Sequence, residues 1–140
     1  MQFTNDDLRY IYDRTTGKCH LCHTKRAFTN YGRFGAKGSW EVEHSNAQAN
    51  GGSHRLNNLY VACIPCNRSK GARSTRSSRA GNGYRKAPLS RNARVSAKSG
   101  NALGAGAAGA LVGAFFGPPG MLIGAAIGAM LGYDANPDKE

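Results

Sequence analysis

The chain has 140 residues, with 19 Lys+Arg against 8 Asp+Glu and a formal charge of +11. Aromatics make up only 9% and 19 positions are glycine, which excludes a large, well-filled multi-layer α/β enzyme and leaves one small domain with an extension. The positive balance points to a polyanionic partner, either nucleic acid or an anionic membrane surface.

Thr4-Asn5-Asp6-Asp7 reads as a helix start, with Thr4 or Asn5 as the cap and acids in the first turn. Leu8, Ile11 and Tyr12 follow at helical spacing, and Thr15–Lys18 reads as a turn. No apolar leader segment opens the chain, so the cytoplasm is the expected compartment. Trp40–His44 alternates like a short strand with Trp40 in the core, Asn50-Gly51-Gly52 reads as a loop, and Asn58–Ala62 as a second short strand or turn. Pro65 suits the first turn of a following helix that carries Asn67 and Lys70.

The four cysteines form two Cys-x-x-Cys pairs, Cys19/Cys22 and Cys63/Cys66. Two such knuckles present four thiolates to one structural Zn²⁺ at tetrahedral geometry, a staple that a core of this size needs. Two disulfides or free thiols are the alternative, disfavoured by the tight loop that an internal bridge would close. With four thiols available, His20 and His23 read as surface residues.

Between the knuckles lie Glu43-His44, Gly51-Gly52 and Asn58-Leu59, and the second knuckle runs into Asn67 and Lys70. In that order, these elements resemble the HNH endonuclease family over about residues 8–72. The resemblance implies a ββα-metal fold: an α+β domain in which a hairpin and a helix surround one divalent metal. It also implies roles. His44 matches the general base, Glu43 the acidic metal ligand, Asn58 the Asn that ties the hairpin loop, and Asn67 the second metal ligand, as in the HNN branch of the family. Glu replaces the more usual Asp at the metal-ligand position. Mg²⁺ or Mn²⁺ suits such hard oxygen donors, and the products implied carry a 5′-phosphate and a 3′-hydroxyl. His54, after Gly-Gly, reads as a loop residue, with an auxiliary phosphate contact as the other option.

From His44 to Tyr133 there is no acid, and Lys and Arg crowd the stretch from Arg68 to Lys98. DNA contacts are therefore expected from Arg68, Lys70, Arg73 and Arg76, continuing through Arg79, Arg85, Lys86, Arg91, Arg94 and Lys98. Such contacts give phosphate affinity with weak sequence preference. Serine, glycine and asparagine between the charges suggest that residues 73–100 are a flexible basic linker.

Beyond it, Gly109, Gly113 and Gly117, then Gly120, Gly124, Gly128 and Gly132, recur every fourth residue around Pro118-Pro119. Residues 101–133 thus read as a glycine-zipper-like helical hairpin, followed by a polar tail at 134–140. Each arm is shorter than the ~17–25 residues of a full span. Membrane association at the inner face, or self-association through the glycine faces, are the expectations.

The organisation expected is an HNH nuclease domain at 1–72, then linker, hairpin and tail. The function expected is metal-dependent hydrolysis of DNA. Toxin and defence roles are equally compatible with it. The rival readings are a non-catalytic zinc module that binds nucleic acid and a membrane-active toxin whose activity lies in the glycine-rich tail.

Overall fold

The computed structural model describes residues 2–101. The hairpin at 101–133, the tail at 134–140 and the membrane and self-association expectations attached to them lie outside the described residues, save residue 101. Among the described residues no helix is long and apolar enough to cross a membrane.

Helix α1, Asn5–Asp13, begins as the sequence dictates. Thr4 caps it: its hydroxyl accepts from the Asp7 amide at 3.1 Å, and the Asp7 carboxylate accepts from the Thr4 amide at 3.0 Å. Donation from the Thr4 hydroxyl, at 2.7 Å, and then from the Thr4 amide holds the Asp7 carboxyl below its ordinary range. The helix buries Leu8 and Ile11.

Strands β1, Glu41–His44, and β2, Leu59–Ala62, form one antiparallel pair in the register Glu41↔Ala62, Val42↔Val61, Glu43↔Tyr60 and His44↔Leu59. The pleat divides these residues between two faces. Val42, Leu59 and Val61 pack with Trp40, Leu8 and Ile11 into the core beneath α1, edged by Phe3, Tyr12 and Phe28. The Trp40 indole is fully buried and donates to the Ala27 carbonyl at 3.0 Å. On the other face Ala62 packs with Cys19, Leu21 and Cys63. Helix α2, Ile64–Lys70, contacts β1 and carries Pro65 in its first turn.

Residues up to Arg91 form one compact unit, and the stretch from residue 73, expected as a flexible linker, carries a helix within it. Helix α3, Thr75–Gly81, is capped by Ser74, whose hydroxyl accepts from the Ser77 amide at 3.1 Å. After it the chain is fastened at single points. Tyr84 stacks on His23 at 3.7 Å, Thr16 donates to the Leu89 carbonyl at 2.8 Å, and Pro88 is buried. These anchors stand singly among serines and glycines, so composition concealed them. Residues 91–101 are helical.

The loop between the strands is closed by a backbone turn in which the Gly52 amide donates to the Ala47 carbonyl at 3.0 Å. A β-carbon at Gly52 would stand 1.8 Å from the Asn46 carbonyl oxygen. Gly52→Ala should therefore displace the loop and cost about 1–3 kcal/mol, read as a lower midpoint in thermal unfolding. The neighbouring, exposed Ser53→Ala should stay within ~0.5 kcal/mol of wild type.

Candidate active site and metal centre

The first knuckle is a tight turn. The His23 amide donates to the Cys19 carbonyl and the Cys19 amide to the Thr24 carbonyl, both at 2.9 Å. His23 itself adopts left-handed backbone, with φ at 57°. The His20 amide donates to the Val61 carbonyl at 2.8 Å, which moors the turn to β2. The second knuckle begins where β2 ends, and Cys63 is the cap residue of α2. The two turns bring all four thiols, unbridged, to within 4.8 Å of one another, with Cys22 and Cys63 at 3.8 Å. Hydrogen bonds from Cys19 and Cys63 pull the Cys22 thiol well below its ordinary value, whereas burial pushes Cys66 up to about 12. Four thiolates so close repel one another, so the arrangement suits a metal cation at their centre.

Behind the knuckle lies a buried polar chain whose members are scattered along the sequence. His20, expected at the surface, is fully buried: its ring stacks on Tyr60 at 4.9 Å, and its Nε2 meets Glu43 Oε2 at 2.5 Å. Neither of those two atoms has another partner. Arg79 donates to the His20 carbonyl at 2.7 Å and reaches His20 Nδ1 at 3.2 Å. An arginine can only donate, so Nδ1 accepts and the ring proton sits on Nε2, facing the carboxylate. Burial lowers the His20 pKa, against the Glu43 hydrogen bond, and so favours this neutral form. On its other side Glu43 Oε1 pairs with Lys70 Nζ at 2.7 Å. Lys70 is also buried and donates to the His44 carbonyl at 3.1 Å.

Lys70, expected at DNA, has its ammonium enclosed with Glu43. Glu43, expected to share a metal with Asn67, has both its oxygens engaged, and the Asn67 amide donates to Glu41 Oε2 at 3.0 Å. The cause is the strand period. Glu41 and Glu43 share the face covered by α2, where Asn67 and Lys70, one helical turn apart, meet them. His44, next in sequence, emerges on the opposite face.

His44 is partly buried at the end of β1. Its Nε2 lies 3.1 Å from His54 Nδ1, and His54 Nε2 lies 2.6 Å from the Gln48 amide nitrogen. Burial first, then the charge of His54, lowers the His44 pKa, with Glu43 opposing and Lys70 adding to the shift. Asn58 locks the loop that holds this group. Its Oδ1 accepts from the Asn46 amide at 2.8 Å, and its Nδ2 donates to the carbonyls of Asn46 at 3.0 Å and Ser53 at 2.8 Å.

Of the basic residues assigned to DNA, Arg68, Arg73 and Arg76 are exposed. The Arg68 guanidinium lies 4.9 Å from the ring centre of the exposed Phe34. Arg73 bonds back to Ser69 and to the Lys70 carbonyl. Arg14, unremarked in the sequence, donates to the carbonyls of Leu56 and Leu59 at 2.7 and 2.6 Å, tying α1 to the hairpin.

Removing one partner of the buried pair should be costly. Lys70→Met leaves the Glu43 carboxylate enclosed without its cation, a loss of about 3–5 kcal/mol. Glu43→Gln combined with Lys70→Met should recover much of it. Urea unfolding of the single and double variants measures the coupling, and additive losses would mean that the two side chains do not depend on each other.

Residues 19–73 match the family model for HNH endonuclease. No curated protein and no solved structure matches the chain. The matched stretch opens at the first knuckle and closes just after α2, so it takes in the hairpin, His44, Asn58 and all four thiols. Residues 19–73 are therefore an HNH endonuclease domain, with the family's general character of a metal-binding nuclease that acts on nucleic acid.

Proposed function

We propose that the protein hydrolyses DNA phosphodiester bonds, with His44 as the general base. The observation that carries this reading is the setting of His44: a partly exposed imidazole at the end of β1, biased toward its neutral form and framed by the loop that Asn58 locks. A neutral imidazole takes a proton from water as that water's oxygen attacks phosphorus. The bond from phosphorus to the 3′-oxygen breaks, and that oxygen gains a proton from solvent. The products carry a 5′-phosphate and a 3′-hydroxyl.

The Cys19, Cys22, Cys63 and Cys66 cluster fits Zn²⁺. With Zn–S bonds of ~2.3 Å, a tetrahedron has sulfur edges of about 3.8 Å, and Cys22 and Cys63 stand 3.8 Å apart. All four positions are then filled by protein, as in a structural ion. The second metal is a different matter. Glu43 and Asn67 do not fit as the joint ligands of Mg²⁺ or Mn²⁺, because Lys70 and His20 already satisfy Glu43 in a closed interior.

Exposed Arg68, Arg73 and Arg76 supply sequence-independent phosphate contacts. The glycine-spaced residues 101–133 would add membrane or self-association to this activity.

Nicking of supercoiled plasmid by the purified full chain, with Mg²⁺, Mn²⁺ or EDTA, tests the reading. His44→Ala should lower kcat by ~10²–10⁴ while the thermal midpoint stays near wild type. Undiminished cleavage by His44→Ala would overturn the assignment. Binding without cleavage under every metal condition would favour a non-catalytic module. The base must be neutral to act and its pKa is lowered, so the rate should fall only as pH drops below the ordinary imidazole value of ~6.5 and stay level above it. Arg68→Ala and Arg76→Ala should each weaken binding across sequences and reduce the salt slope by about 1.

A further inference from the structure

We propose that His54 and Gln48 form a relay that positions His44 by choosing which of its ring nitrogens carries the free lone pair. The proposal rests on the reading of His44 as base and deepens it.

The three side chains form a line: His44 Nε2 to His54 Nδ1 at 3.1 Å, then His54 Nε2 to the Gln48 amide at 2.6 Å. The rings of the two histidines stand edge to face, with centroids 4.9 Å apart and an interplanar angle of 83°. That arrangement aims a nitrogen rather than a ring face across the gap. A single hydrogen bond joins the two imidazoles, so one nitrogen must donate and the other accept.

The line has two self-consistent settings. In the first, Gln48 presents its carbonyl oxygen to His54 Nε2–H. His54 Nδ1 is then bare and accepts from His44 Nε2–H, which leaves the lone pair of His44 on Nδ1, away from the relay. In the second, Gln48 presents its NH₂ group to a bare His54 Nε2. His54 then donates from Nδ1 to His44 Nε2, and the proton of His44 sits on Nδ1. Only the first setting leaves a nitrogen of His44 both unprotonated and unoccupied, able to take a proton from water. The oxygen and nitrogen of an amide are exchanged by a half-turn of its group, so the network decides which one faces His54. The structure faces the Gln48 nitrogen toward His54, so the productive setting, with the oxygen toward His54, follows a half-turn of that amide.

The remaining charged groups around His44 do not make this choice. Glu43 and Lys70 act on it across the strand, and Lys70 bonds the His44 carbonyl rather than its ring. Asn58 bonds the loop backbone at Asn46 and Ser53. Among the described contacts of the His44 ring nitrogens, the one to His54 selects the tautomer.

Two variants of opposite sense isolate the relay. Gln48→Glu offers only acceptor oxygens and locks the productive setting. His54→Asn keeps an acceptor near the position of Nδ1, whereas His54→Ala removes it. The readout that does not depend on turnover is the ¹⁵N spectrum of the imidazoles in the full chain. Wild type and Gln48→Glu should show His44 protonated at Nε2 with a bare Nδ1, and His54→Ala should show a mixture of both tautomers. In the nicking assay His54→Ala should lower kcat by ~10-fold or more with KM little changed. His54→Asn should restore most of the rate, and Gln48→Glu should at least hold it.

If His44 carries its proton on Nδ1 in the wild type, or if His54→Ala changes neither tautomer nor kcat, the relay is wrong while the base assignment stands. If His44→Ala cleaves as well as wild type, the base assignment is wrong, and the ¹⁵N tautomers still decide whether the relay exists.

Discussion

Four sulfur atoms within 4.8 Å of one another fix the layout of this domain. One knuckle lies ahead of the hairpin and the other at the turn from β2 into α2. Gathering them draws a stretch that begins before the hairpin onto a helix that follows it. The fully buried nonpolar side chains beneath α1 are few: Ile11, Trp40, Leu59 and Val61. A core of this size contributes little beyond the conformational entropy it must offset, so a metal that binds only the folded arrangement adds directly to stability.

The same closure creates the buried chain from Arg79 through His20 and Glu43 to Lys70. It joins the first knuckle, β1, α2 and α3 in one polar path. Such a path contributes little net stability when complete and is costly when broken. Its consequence is positional. Lys70 grips the carbonyl of His44 from behind while the imidazole faces the other way, so the backbone of the proposed base is anchored to the interior and its ring is left to the loop.

Much of this was legible in the sequence. The capping box at Thr4 and Asp7, the two short strands, Pro65 at the head of α2 and the pairing of the knuckles each follow from local chemistry, and local chemistry is what spacing records. The loop-tying place of Asn58 was implied by the family resemblance rather than by local spacing, and its side chain bonds the backbone of Asn46 and Ser53. What escaped was decided by the far side of the sheet. Glu43 and His44 are neighbours in the chain and strangers in space, since adjacent strand residues face opposite ways. Nothing local to Lys70 distinguishes it from the exposed Arg68 until α2 is laid on β1. His20 resembled a surface residue for the same reason: its partners, Tyr60, Glu43 and Arg79, come from three distant parts of the chain. The segment after Arg73 has the composition of a linker, yet contacts through Thr75, Arg79, Tyr84 and Leu89 hold it to the domain.

X-ray absorption at the zinc edge of the purified chain reads the sulfur cluster itself. The expected result is one zinc per chain with four sulfur neighbours at ~2.3 Å. A shell containing nitrogen or oxygen ligands, or a folded chain whose cysteines are joined as disulfides without zinc, would contradict it.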